Sequence, residues 1–228
     1  MLGMGETQKK CKEKGFSFLS LALLTFAGLG LEDFMMCIIE PLIFHCGSSF
    51  SKWPVSLHIF HWCATCVLWA TAAILLISLA KRKYGFDIFW YKGKMNLMRW
   101  LLCFAILAVI VAVSIWDWNG FKVVKEFQYN GWLKFIFQYI YYLVETVLVI
   151  LIIAFCQRAG EIWFHSEKIP WGGLLAGLTW GLVHILTKES ILTGLITFCS
   201  GILFGMVYLL TKKNVRTTYP LILLMFVL

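Results

Sequence analysis

An ionisable side chain inside a long apolar run must be held there by something, and two such residues in this sequence could do chemistry. Glu145 stands in the run 132–156 and His184 in the run 171–187. A carboxylate and an imidazole brought together can serve as a general base and its partner, or offer oxygen and nitrogen to a metal such as zinc. They can equally form a buried hydrogen-bonded pair that keeps two helices in register. Each has companions on its own face. Gln138, Tyr142 and Glu145 follow an i, i+4, i+7 course with Tyr141 beside them, and Gly173, Gly177, Gly181 and His184 share one stripe. The expectation is a single polar pocket inside a bundle, with Glu145 and His184 facing each other and Gln138 and Tyr142 lining it.

A second group of acids, Glu32, Asp33 and Glu40, lies in the first apolar block. Asp33 and Glu40 are seven apart and share a helical face, so with Glu145 they could line a cavity for protons, cations or a basic substrate. A solvated or interfacial face is the alternative for them. His45, Cys46, His58 and His61 cluster near one end of the same region. Their spacing matches no standard metal signature, headgroup contacts beside Trp62 account for the histidines, and no metal ligand is assigned. Cys63 and Cys66 form a C-x-x-C inside an apolar helix and read as small buried hydrophobes.

The elements that must carry these residues follow from composition. Apolar residues make up 61% of the 228 and charged residues only 14%, with a mean hydropathy of +0.81. A soluble domain has about a quarter of its residues charged. Here the apolar residues come in blocks of about twenty, the length that crosses a ~30 Å hydrocarbon core as a helix. Alternation at period two is lacking, which argues against a membrane barrel. The fold class is therefore all-α, a polytopic integral membrane helical bundle of about six to seven spans. The candidate spans are 16–44, 55–80, 98–118, 132–156, 171–187, 190–211 and 218–228. The first is either one tilted helix or a span followed by a shorter piece ending at Pro41. The last is too short to cross alone and packs as a half-helix or stops partway, so six full spans and a tail are expected.

Residues 1–15 form a polar, basic, cytoplasmic N-terminus, and 16–228 a single transmembrane domain. With the N-terminus inside, fifteen Lys and Arg fall in cytoplasmic segments and five on the other side. Basic loops facing an anionic leaflet also account for the net charge of +8 without nucleic acid. The expected partner is the lipid bilayer and the expected location the cell membrane. Tryptophans 53, 62, 116, 118, 132, 163 and 171 fall near span ends, as interfacial anchors do. The rows Gly173/Gly177/Gly181 and Gly194/Thr197/Gly201/Gly205 are joined by a tight turn, so the last two long spans should pack as a close antiparallel pair.

From Gln138 onward the chain resembles the CPBP (CAAX protease and bacteriocin-processing) family of intramembrane proteases. That family typically carries Glu-Glu-x-x-x-Arg on one span, Phe-x-x-x-His on the next, and His with Asn four residues on in a later one. Here Val144-Glu145 stands where the paired acids belong, and Trp180-Gly181-Leu182-Val183-His184 resembles the second motif with Trp for Phe. Gly201-Ile202-Leu203-Phe204-Gly205 resembles the glycine-rich helix before the third. The resemblance implies Glu145 and His184 as catalytic residues of an endopeptidase acting on a membrane-proximal peptide or membrane protein, with a divalent metal such as zinc as the cofactor to look for. The chain departs from the pattern in having one acid, Val149 in the arginine position, Arg158 and Glu161 only beyond the span, and no histidine after His184. Two other readings therefore stand beside proteolysis: a non-catalytic immunity or accessory protein that binds a peptide or lipid partner, and a small transporter using the buried acids.

Overall fold

The computed structural model describes the backbone of residues 2–45 and 50–228 and the side chains from residue 13 onward within those ranges. The basic side chains Lys9, Lys10 and Lys12, and Cys11 and Cys46, lie outside the described residues. Among the described residues there is no strand. The helices are α1 (Leu2–Leu29), α2 (Leu31–Phe34), α3 (Glu40–Phe44), α4 (Val55–Tyr84), α5 (Leu97–Asp117), α6 (Lys122–Phe164), α7 (Trp171–Ala176), α8 (Leu182–Thr187), α9 (Ile191–Leu210) and α10 (Val215–Val227). Two π-helical turns, Met35–Ile39 and Gly177–Gly181, connect α2 to α3 and α7 to α8 without breaking the helical course.

Five helical stretches are long and apolar enough to cross a membrane: Glu13–Phe44, α4, α5, α6 and α9. Trp171–Thr187 and Val215–Val227 are shorter apolar helices. The helices fall where the apolar blocks place them, but Trp171–Thr187, read from the sequence as one of six full spans, is among the shorter ones. Asn96, Ser190 and Asn214 accept backbone N–H bonds at the starts of α5, α9 and α10. Gly85 closes α4 in the left-handed conformation at φ 66°. The sequence places the fourth span at 132–156, whereas α6 begins ten residues earlier. Gly131, at φ 67° and ψ 171°, breaks it into a short outer piece and the long helix that follows.

The long helix of α6 is the axis of the molecule. Leu148 to Phe155 are buried without interruption, and α1, α4, α7 and α10 all pack against it. The outer helices turn large apolar side chains outward, among them Val67, Leu75, Leu101 and Leu195. That is the reverse of a soluble bundle and suits a hydrocarbon surround. Close approach at the axis depends on small residues: a Cβ on Gly160 would run into Trp171, and one on Gly172 into the Ile153 carbonyl. Between α7–α8 and α9 the two glycine rows meet in antiparallel register. A Cβ on Gly201 would sit 2.5 Å from the Gly177 nitrogen, and one on Gly173 2.8 Å from the Gly205 Cα.

Candidate functional site

Three polar clusters occupy the half of the bundle that holds the α1–α4 and α8–α9 connections. The first contains Glu145, Trp180 and His184. Glu145 projects from the middle of α6 and is buried. Its Oε1 accepts the Trp180 indole N–H at 2.9 Å. Trp180 lies in the π turn of the glycine helix, and its backbone carbonyl is 2.8 Å from His184 Nδ1. A carbonyl only accepts, so Nδ1 carries the hydrogen, and Nε2 of the neutral ring is left as an acceptor. Among the described residues, Glu145 and His184 make no hydrogen bond to each other. Trp180 joins them, its indole on the acid and its carbonyl on the imidazole. Its ring also packs on Phe204 of α9 and Phe226 of α10, at 5.9 and 5.4 Å, which fixes the direction of the N–H.

Gln138 and Tyr142, expected to line the pocket of Glu145, instead belong to a second cluster, around an acid outside the expected set. Glu126, on the short outer piece of α6, is buried. It accepts from the Tyr142 and Tyr139 hydroxyls at 2.7 and 3.0 Å and from Gln138 Nε2 at 3.2 Å. Gln138 Nε2 also donates to the Tyr142 hydroxyl at 2.6 Å. Lys122, one turn before Glu126, covers the Tyr142 ring at 4.9 Å and donates to the Phe226 carbonyl at 2.7 Å, tying α10 to this edge. The bend at Gly131 folds Glu126 back onto Gln138 and Tyr142. A straight helix would set Glu126 and Tyr142 about 24 Å apart along its axis.

The third cluster centres on His61 of α4. His61 Nδ1 lies 2.8 Å from Glu40 Oε2, and both residues are fully buried. Nε2 faces Glu32 Oε1 at 3.5 Å, and the other Glu32 oxygen accepts the Tyr141 hydroxyl at 2.6 Å. Asp33, expected on the face of Glu40, is exposed, and Glu32 takes its place. The π turn between them is the reason. Eight α-helical residues advance about 800°, some 80° past two turns, but a π turn absorbs one residue and brings Glu32 and Glu40 to the same side. His58 turns its Nδ1 to the Pro54 carbonyl at 3.1 Å, and His45 is exposed at the end of α3.

Arg158 and Glu161 sit at the opposite end of α6. Glu161 pairs with Lys213 at 2.8 Å and takes a hydrogen bond from Gln157, whose amide also holds the Ile169 carbonyl and the Gly172 N–H. Burial works against the Lys213 charge. Its bonds to Glu161 and Glu167 outweigh that and hold the ammonium above the usual lysine range. This group fastens the α6–α7 loop to the α9–α10 turn and stands ~20 Å along α6 from Glu145.

A zinc centre needs three or four protein ligands. Glu145 and His184 supply two, and no group of three His, Cys, Asp or Glu among the described residues is arranged to hold a metal ion. The pair does not fit a zinc centre, and its chemistry is that of two proton acceptors set by one tryptophan. No family model, curated protein or solved structure matches this chain.

Proposed function

We propose that the chain is a CPBP-like membrane protein that crosses the bilayer six times with its N-terminus in the cytoplasm, and that it cleaves a membrane-proximal peptide bond at Glu145 and His184. The observation that carries this reading is the double role of Trp180, whose indole holds the Glu145 carboxylate while its carbonyl fixes Nδ1 of His184. Two acceptors oriented in this way can take the two hydrogens of one water and leave its lone pair for attack on a carbonyl carbon. Glu145 then removes one proton as the O–C bond forms and returns it to the departing nitrogen. His184 Nε2 orients the water. The glycine contacts of α7–α8 with α9 keep the helix bearing both Trp180 and His184 rigid, as positioning requires.

The test uses the full chain in liposomes with a set of membrane-tethered peptides, and mass spectrometry of the products. Cleavage by the wild type and its loss in Glu145→Gln and His184→Asn variants that stay folded is the expected result. Equal cleavage by the variants overturns the assignment. One observation favours a second reading, a peptide-binding accessory protein: Val149 is fully buried among core residues at the position where the family has arginine. On that reading no product forms with any peptide, while the wild type binds and Glu145→Gln binds less.

A further inference from the structure

The Glu40–His61–Glu32 cluster is separate from the site just described, and its geometry limits how many protons it can hold. Both ring nitrogens of His61 face carboxylate oxygens, Nδ1 toward Glu40 at 2.8 Å and Nε2 toward Glu32 at 3.5 Å. A neutral imidazole has one N–H and one bare nitrogen. With both acids ionised, the bare nitrogen would turn its lone pair toward an anionic oxygen, away from water, where such repulsion is least screened. His61 and Glu40 are fully buried, and three polar atoms here have no hydrogen-bond partner: His61 Nε2, Glu40 Oε1 and Thr65 Oγ1. Thr65 lies one helical turn after His61 and faces the same way. Nε2 is thus a buried, unpartnered nitrogen aimed at a carboxylate just beyond hydrogen-bond length.

We infer that Glu40, His61 and Glu32 form a proton-binding site, holding one proton more than two ionised carboxylates and a neutral ring would carry. The proton sits on the ring, making an imidazolium that donates toward both acids, or on one of the acids, which then donates to the bare nitrogen. In both cases the cluster carries one negative charge in place of two. A metal ion is a poorer occupant, because the two carboxylates lie against opposite edges of the imidazole and cannot converge with one of its nitrogens on a single ion.

The surroundings fit a proton site. Tyr141 of α6 donates to Glu32, and the same hydroxyl lies within electrostatic reach of Glu145. Asp33 beside Glu32 adds a second negative charge, exposed rather than enclosed. On α4, His58 feels both His61 and Lys134, and the Cys66 thiol lies near Glu32. Phe50 and Trp53 pack with rings 5.3 and 5.8 Å from the His61 ring, so the ring is buried while Glu32 stays part-exposed. The chain Glu40, His61, Glu32, Tyr141 links α3, α4, α2 and α6, and a proton entering at the part-exposed Glu32 can reach the buried Glu40 through the two ring nitrogens. This inference is independent of any peptidase activity at Glu145.

The test is proton counting on the wild-type chain in lipid nanodiscs at pH 7. Nitrogen-15 shifts of the histidine rings report how many nitrogens of His61 are protonated, and the infrared carboxyl stretch reports any protonated acid. His61 is assigned by the signal lost in His61→Gln or, if that variant does not fold, by its contacts with the rings of Phe50 and Trp53. The expected result is either a doubly protonated His61 ring or a protonated-carboxyl band that disappears in Glu32→Gln or Glu40→Gln. A singly protonated His61 with no such band overturns the proposal.

Discussion

At the scale of single residues, the chain shows how a buried acid chooses its partner. Each carboxylate at membrane depth costs ~3 kcal/mol or more unless hydrogen-bonded, so each acid draws a donor from another segment. Glu145 draws an indole, Glu126 two phenols and an amide, and Glu32 a phenol. Glu145, Tyr142 and Gln138 are legible from their helical spacing as one polar stripe, but the structure divides them between two clusters. Their partners are not, because a hydrogen bond between segments leaves no mark on the spacing within either. Trp180 is visible in sequence only as an aromatic before a histidine, and nothing there announces that its N–H faces an acid. Trp180→Phe keeps the ring and removes the donor. It should leave Glu145 buried and unpaired and cost about 1–3 kcal/mol of stability, read as a lowered midpoint of thermal unfolding in detergent. Glu145→Gln in the same background should recover part of that loss, since a neutral amide is cheaper to bury than an unpaired carboxylate. If Trp180→Phe unfolds like the wild type, the indole–carboxylate bond is not holding the acid.

At the scale of elements, the two π turns decide which residues meet. Apolar blocks locate helices well because a membrane span must be about twenty residues long. Side-chain faces are predicted by carrying a 3.6 period through each block, and that procedure fails where a turn holds one extra residue. Asp33 and Glu40 share a face in the sequence for this reason, while the structure pairs Glu32 with Glu40 across Met35–Ile39. Glu126 is missed for a related cause: Gly131 breaks the helical phase between it and Gln138. The π turn makes an unusual prediction. Deleting the exposed Cys37 from it should leave Glu32 and Glu40 seven positions apart in ordinary α-helical register, about 20° short of two full turns, so both acids still face His61. Deleting Ala27 from the regular part of α1 should instead swing everything before it by about 100° and disrupt the packing on α6. Expression and monodispersity should therefore survive the first deletion and not the second, and the opposite order would show that the π turn is not a one-residue insertion. The glycine rows are readable even across the second π turn, since Gly173, Gly177 and Gly181 all still meet α9. Gly177→Leu and Gly201→Leu should each cost about 1–3 kcal/mol or more by forcing α7–α8 away from α9. Unchanged melting in both would mean that the two helices do not touch there.

At the scale of the whole molecule, the polar clusters and the basic loops lie toward opposite ends. Glu32, Glu40, His61, Glu126, Glu145 and His184 belong to the half containing the α1–α4, α5–α6 and α8–α9 connections. The other half carries Lys81, Arg82 and Lys83 at the end of α4, the aromatic and basic stretch before α5, and the Lys213–Glu161 tie. Positively charged connections are retained on the cytoplasmic side during insertion, so the basic half should face inward and the acid-lined half outward. Lys92 and Lys188 are both exposed and lie on connections at opposite ends. With a membrane-impermeant maleimide applied to intact cells, and the native cysteines subtracted as background, Lys188→Cys should label and Lys92→Cys should label only after permeabilisation. The reverse pattern would turn the molecule over. The acids would then open toward the cytoplasm, and on the proposed reading a peptide would reach Glu145 and His184 from that side. The arrangement expected from the charges turns Glu145 and His184 toward segments on the outer face, with His184 three residues before the end of α8.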